Sequence, residues 1–241
     1  MNACAFSPDG ATIIAAAEDV VTLWDVSSGA ALRTLEGHTS CVLCFALSPD
    51  GRSICSGSGD HSLKLWHAAT GACQRTLLGH TNFVRCCAYS ADGTAVLSGS
   101  HDETLKTWSV ATGACVRTFT GHNGWVMACC FSPADGNTIL SGSADNTLKL
   151  WDVRSGVCRR TLTGHADVVN GCAFCPVDGS IVLSCSYNNT IKLWDAATGP
   201  CTATLEGGSA AEKALCFSIS RDGSTIAGGD FAGHLALWRR V

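Results

Sequence analysis

Apolar residues along this chain gather in short runs separated by small and polar clusters. One stretch shows the pattern. Residues 126–131 form an apolar run that ends at Ser132-Pro133-Ala134-Asp135-Gly136, a turn cluster. A second run, 138–141, leads to a polar corner at Ala144-Asp145-Asn146. A third covers 148–153, the chain turns at Arg154-Ser155-Gly156, and a fourth run covers 158–162. Runs of roughly four to seven residues spaced about ten apart predict β-strands, in either a sandwich or a propeller. In the third run Leu148 and Leu150 point one way, and Thr147, Lys149 and Trp151 the other. A lysine stem can cover apolar surface while its amine reaches water, so both faces of such a sheet call for burial.

The pattern repeats. Trp24, Trp66, Trp108, Trp151, Trp194 and Trp238 are 42, 42, 43, 43 and 44 residues apart. Gly-His pairs recur at Gly37-His38, Gly79-His80, Gly121-His122 and Gly164-His165. Turns such as Phe6-Ser7-Pro8-Asp9-Gly10 and Ser48-Pro49-Asp50-Gly51 fall between them. A period of about 40–45 residues corresponds to one four-stranded sheet. Sheets buried on both faces must stack against copies of themselves, which radial packing achieves. The predicted fold class is therefore all-β, a β-propeller of six four-stranded blades. The repeats are drawn at 1–36, 37–78, 79–120, 121–163, 164–206 and 207–241 of a single domain.

Composition narrows the function classes. Apolar residues make up 46% and charged residues 15%, a globular and not a disordered balance. The net charge is −4 and the basic residues are scattered, so no nucleic-acid surface is expected. No apolar run approaches the ~20 residues of a membrane span, and the start lacks the features of a signal peptide. Neither membrane attachment nor secretion is expected, and a cytoplasmic or nuclear location follows. Sixteen cysteines in such a chain are not expected to pair. Cys73, Cys115, Cys158 and Cys201 instead repeat one structural position. Cys41/Cys44 and Cys172/Cys175 form CxxC pairs in or beside strands, where residues three apart face opposite ways. They read as small buried hydrophobes and not as zinc ligands. No metal or other cofactor is implied, and no GxxxxGK[ST], HExxH or GxSxG motif occurs.

These residues resemble the WD-repeat family over essentially the whole length. The stretch Ser-Gly-Ser-x-Asp-x-Thr-Leu-Lys-Leu-Trp-Asp at positions 141–152 is close to its consensus. The resemblance implies a buried hydrogen-bonded set in each blade, joining histidine, serine, aspartate and tryptophan. The sets would be His38, Ser56, Asp60 and Trp66; His80, Ser98, Asp102 and Trp108; His122, Ser141, Asp145 and Trp151; and His165, Ser184, Asn188 and Trp194, where Asn replaces Asp. The outer repeats depart from the pattern. The first lacks the Gly-His pair, and Asp19 fits only if its corner is one residue shorter. The last has Gly207-Gly208, Gly228 and Ala232 at the corresponding places. Looser first and last blades are expected. A Ser-His-Asp grouping also suggests a catalytic triad. Four copies, each serine bonded to an indole and without an oxyanion hole, point to structure instead.

The resemblance implies a partner-binding face at the corners and at the entries to the first strands. The candidate residues there are Phe83, Arg85 and His101, Trp125 and Met127, Asn170 and Tyr187, and Lys213. Trp125 is the one tryptophan outside the repeated position. Packing between blades remains the alternative role for Trp125 and Phe83. The leading function is a protein–protein interaction scaffold within a multiprotein complex. The runner-up is a reader of a peptide motif in the central opening, and an enzymatic role stands third. Twenty-three strands are counted, and the last blade lacks its outer strand. Three readings stay open: a fragment of a seven-bladed or larger propeller, a six-bladed ring with one three-stranded blade, or a strand supplied by a partner or another copy.

Overall fold

A computed structural model describes residues 2–177, 179–206, 214–230 and 234–239. The chain is all-β, a six-bladed β-propeller whose last sheet has three strands. It falls into two compact units, Met1–Thr120 and Gly121–Val241. Among the described residues no helix is long and apolar enough to cross a membrane.

The first unit holds three sheets. They are β1 (Ala3–Phe6), β2 (Thr12–Ala17), β3 (Val20–Asp25) and β4 (Ala31–Leu35); β5 (Val42–Leu47), β6 (Ser53–Ser58), β7 (Leu63–His67) and β8 (Cys73–Leu77); and β9 (Val84–Tyr89), β10 (Ala95–Ser100), β11 (Leu105–Ser109) and β12 (Cys115–Phe119). The second unit holds β13 (Val126–Phe131), β14 (Thr138–Ser143), β15 (Leu148–Asp152) and β16 (Cys158–Leu162); β17 (Val169–Phe174), β18 (Ile181–Ser186), β19 (Thr190–Asp195) and β20 (Cys201–Glu206); and β21 (Ala214–Ile219), β22 (Thr225–Asp230) and β23 (Leu235–Arg239). Every sheet is an antiparallel meander in chain order. The 138–141 run extends to Ser143, because Gly142 and Ser143 still pair with Ala128 and Val126. The third strand of that sheet stops at Asp152, one residue earlier than the apolar pattern predicts.

The turns are built by side chains. Ser48 Oγ donates to Asp50 Oδ1 at 2.6 Å, and the same oxygen accepts the Arg52 amide at 3.0 Å. Gly51 closes this turn at a φ of 69°, where a side chain would be strained. Each Gly-His glycine is held for a second reason. Gly121 sits at φ 139°, and a Cβ there would lie 3.4 Å from the Trp151 ring.

Apolar side chains from one sheet meet those of the next. Leu35 and Val21 of the first sheet pack with Val42, Ile54 and Trp66 of the second. Leu63, Leu65 and Leu77 of the second pack with Val84, Val96 and Trp108 of the third. In the other unit Leu148, Leu150 and Leu162 meet Val169, Val182 and Trp194. Leu183, Cys185 and Ile191 meet Ile226 of the last sheet. The two faces of the third strand thus serve two different neighbours: leucines reach the following sheet and the tryptophan the preceding one.

Cysteine takes part in this packing from either of two strands. A Cβ on Gly57 would fall 2.7 Å from Cys44 Sγ and 2.7 Å from Val84 Cγ1. In the fifth sheet the pair is exchanged. Cys185 stands at the Gly57 position and Gly171 at the Cys44 position, and a Cβ on Gly171 would meet Cys185 Sγ at 2.7 Å. Either way one thiol fills one slot. Of the CxxC pairs, Cys41 is exposed while Cys44 is buried against the carbonyls of Gly57 and Val84. Cys172 is half-buried and Cys175 buried.

This packing sets a test. Gly57→Ala should destabilise the protein by about 1–3 kcal/mol through overpacking. Adding Cys44→Gly should recover part of that loss. Urea unfolding midpoints of the two variants check both statements.

Candidate functional site

The polar corners hold the candidate residues of each sheet in place. In the second sheet His38 bridges the second strand and the corner that follows it. Its Nδ1 lies 2.8 Å from Asp60 Oδ2, and its Nε2 2.8 Å from Ser56 Oγ. Trp66 Nε1 donates to the same hydroxyl at 2.8 Å. An ionised carboxylate only accepts, so Nδ1 carries the proton and Nε2 accepts from Ser56. The chain of donation runs from indole to hydroxyl to imidazole, with a separate bond from imidazole to carboxylate. Asp60 also accepts the Thr39 amide at 3.0 Å and the Ser62 hydroxyl at 2.6 Å. The third sheet repeats the arrangement with His80, Ser98, Asp102 and Trp108, and the fourth with His122, Ser141, Asp145 and Trp151.

The fifth sheet differs at one group. His165 Nε2 meets Ser184 Oγ at 2.7 Å, and Trp194 donates to that oxygen at 2.8 Å. Thr190 Oγ1 lies 3.2 Å from Nδ1 and donates to Asn188 Oδ1 at 2.8 Å. In the first sheet the register puts Ala15 at the serine position, and the corner shortens to Glu18-Asp19. Without the set Trp24 is 39% exposed, whereas Trp66, Trp108, Trp151 and Trp194 are each 1% exposed. In the last sheet Gly228 holds the serine position, and Trp238 packs within 2.9 Å of where its Cβ would be. Gly207, Gly208, Ala232 and Lys213 lie outside the described residues.

Charge follows the same geometry. Burial alone would raise the carboxyl of Asp60. Hydrogen bonds from Ser62, the Thr39 amide and His38 outweigh it and bring the pKa down to about 2. The carboxyls of Asp102 and Asp145 are also held below the ordinary range, by bonds from His80 and His122 and from Thr104 and Thr147 against a raising effect of burial. Burial pushes His38 below its usual value, with Asp60 opposing. Burial drives His165 down to about 4, since Asn188 offers it a hydrogen bond but no charge. Ser56, Ser98, Ser141 and Ser184 are wholly buried and bonded on both sides, so none is placed to act as a nucleophile. Among the described residues no group of three His, Cys, Asp or Glu side chains is placed to hold a metal ion.

The corners carry the candidate face. The backbone amide of the residue before each Asp or Asn donates to the residue that precedes the first strand. His101 donates to Phe83 at 2.9 Å, Ala144 to Trp125 at 2.8 Å and Tyr187 to Val168 at 3.0 Å. Phe83 and Trp125 therefore hold the same repeat position, and both are exposed, at 42% and 51%. In the first unit the Phe83 ring lies between His101, 5.6 Å away, and His61, 5.9 Å away. Its Cδ1 would be 3.6 Å from a Cβ on Gly59. Arg85 is half-buried, with a long contact of 3.5 Å to the Leu43 carbonyl. Burial, and then the charge of Arg85, lower the basicity of His101. In the second unit Met127, Asn170 and Tyr187 are half-buried, and Asn170 accepts the Cys185 thiol at 3.3 Å. His61 was not singled out by the sequence. It follows Asp60 at a φ of 70°, in the slot that Glu103, Asn146 and Asn189 fill elsewhere, and that slot is the signal.

A family model described as "WD domain, G-beta repeat" matches residues 1–25, 29–67, 71–109, 113–152 and 156–195. From the second on, each matched stretch spans the fourth strand of one sheet and the first three of the next. The human "Intraflagellar transport protein 122 homolog" is 41% identical over 63 residues, 26% of this chain and 5% of that protein. "Anaphase-promoting complex subunit cdh1" of Dictyostelium discoideum is 43% identical over 47 residues, 20% of this chain and 6% of the relative. A WD repeat-containing protein of Schizosaccharomyces pombe is 39% identical over 61 residues, 25% and 15% of the two lengths. The matches thus span only a small part of these relatives.

Two outcomes follow from the corner chemistry. His122→Ala should lower stability by about 2 kcal/mol, because it removes the buried bonds to Ser141 and Asp145; an unfolding midpoint measures it. His165 has a folded pKa near 4, below its unfolded value of 6.5. Between those pH values the unfolded chain takes up a proton that the folded chain refuses, so stability falls as pH drops from 6.5 towards 4. Asn188→Asp should raise the folded pKa of His165 and shrink that loss, as read from a histidine NMR titration and from urea midpoints at pH 7 and pH 5.

Proposed function

The chain belongs to the WD-repeat family, and from that premise we propose that it is a protein–protein interaction scaffold whose corner face holds partners within a multiprotein complex. The observation that carries this reading is where the repeats stop resembling one another. One bonded pair on the third and fourth strands stays constant from the second sheet to the fifth. Lys64, Lys106, Lys149 and Lys192 each donate to a threonine of the next strand, namely Thr76, Thr118, Thr161 and Thr204. On the corner face the equivalent positions differ: Cys41, Phe83, Trp125 and Val168 before the first strand, and Gly59, His101, Ala144 and Tyr187 at the corner. A position with a bonded partner in the sheet is thus kept, while positions of comparable exposure at the corners vary.

The residue types suit the role. Tyrosine, tryptophan and arginine dominate interface energetics, and methionine adapts to irregular surfaces. Loops on a rigid scaffold carry recognition. One relative is named as a subunit of the anaphase-promoting complex and another as a transport protein, which agrees with a role in assembly. Sixteen free thiols favour a reducing compartment, cytoplasm or nucleus. A peptide reader is the second reading. It draws on a groove of about 360 Å³ along the first strands of the second unit, lined by Asn170, Cys172, Cys216 and Phe217 among others. Phe217 is the one aromatic residue in that lining, which favours the scaffold.

The test compares wild type with Trp125→Ala and Tyr187→Ala in affinity capture from native lysate, read by mass spectrometry. The same partners should be lost with either variant while circular dichroism stays unchanged. Partners retained by both variants would move the binding surface elsewhere.

A further inference from the structure

The second unit carries a cavity on the side of its sheets opposite the corners. Its volume is about 410 Å³. It opens between the turn that follows β13 and the turns of the fifth sheet. Its floor is apolar: Leu150, 3% exposed, Phe174, 7% exposed, and Ala196. Its rim carries two adjacent guanidiniums, Arg159 and Arg160, and the carboxylate of Asp135.

The charges on that rim are not equally occupied. Arg159 is paired with Asp152. Asp135 accepts the hydroxyl of Thr138 at 2.9 Å and the backbone amides of Asn137 and Thr138. Arg160 donates only to carbonyls, Thr198 O and Ala197 O, each at 2.6 Å. Asp195 feels its charge, and that carboxylate accepts the Ala197 and Thr198 amides. Arg160 thus reaches the cavity edge already oriented, with no carboxylate bonded to it among the described residues.

The equivalent place between the second and third sheets shows what is particular here. That cavity is smaller, about 250 Å³, and is lined by Ser48, Asp50, Tyr89, Asp92 and Val110 with no arginine. Tyr89 stands where Phe174 does and Val110 where Ala196 does, so the larger cavity has the more apolar floor and the smaller side chain. The turn Ser132–Gly136 is also one residue longer than Ser48–Gly51. Arg75, the counterpart of Arg160, makes the same two contacts, on Ala111 and Thr112, and adds a third to the Val110 carbonyl, but it does not line the smaller cavity.

We propose that this cavity binds an apolar side chain that carries a carboxylate beside it, as at the C-terminus of a peptide ending in leucine or phenylalanine. The side chain rests on Leu150 and Phe174, and the carboxylate accepts from the Arg160 guanidinium. The site lies away from the corner face and does not depend on it.

The probes are N-acetyl-leucine and N-acetyl-phenylalanine, each against its amide, followed by calorimetry and ligand-observed NMR. The acids should saturate the protein, with the amides roughly tenfold weaker. Ala196→Leu should block binding by filling the floor, with an unchanged melting temperature, since the third sheet already accepts valine there. Arg160→Gln should weaken the acids to the level of the amides. Arg75→Gln removes the equivalent clamp in the other unit and should leave binding intact. The peptide acetyl-Ala-Ala-Leu, with a free C-terminus, separates the two sources of the ligand: tighter binding than N-acetyl-leucine points to a peptide end, equal binding to a small acid. Acids and amides binding alike, no saturation by the acids, or binding that survives Ala196→Leu would overturn the proposal.

Discussion

A sheet that is apolar on both faces has no stable existence alone, and this constraint shapes the rest of the molecule. The third strands of the second to fifth sheets send mostly aliphatic side chains to one side and a tryptophan to the other, so each needs a neighbour on each side. In Leu148–Asp152 the leucines close against Val169, Val182 and Trp194, and a tryptophan of each following sheet repeats the arrangement. Four strands, and not one, are the unit of stability, and repetition is the simplest way to supply partners of matching shape. The cost of the arrangement is tight tolerance. The Gly57–Cys44 and Gly171–Cys185 pairs show that one slot accepts one thiol, from whichever strand supplies it.

Burying a tryptophan brings its N–H inside, and the chain of indole, hydroxyl, imidazole and carboxylate answers that need. Each member satisfies the next, and the last anchors the corner to backbone amides. The packing of the sheet and the position of its loops are thereby linked. Where serine is missing, as at Ala15 and Gly228, the tryptophan has no such partner. A corner fixed in this way presents its neighbours, such as Phe83 or Tyr187, from a rigid base. Repeated residues keep the sheets together, and the unrepeated ones gather at the corners.

Much of this was legible in the chain itself. The spacing of Trp24 through Trp238 fixes the number of sheets, because one side chain must recur once per structural unit. Short apolar runs between turn clusters locate the strands, and all twenty-three appear among the described residues. The boundary at Ser143 was not legible, since Gly142-Ser143 reads as a turn until their partners Ala128 and Val126 are known. The face residues Phe83 and Trp125 could be found from their repeat position, but His61 could not be found by residue type.

The sequence by itself determined the elements and their order, because each depends on residues whose spacing is nearly constant along the chain; the polar sets came from the family resemblance. Tertiary structure decided what depends on distance between sheets. It brought His61 of one sheet beside Phe83 of the next, exchanged a thiol between strands, and placed Arg160 against the carbonyls of Ala197 and Thr198. The His61–Phe83 and Arg160–Thr198 contacts join residues 22 and 38 positions apart whose nearness no local pattern encodes. The cavity over Leu150 and Phe174 exists for the same reason: its size is the gap left between two sheets, a quantity that belongs to neither alone.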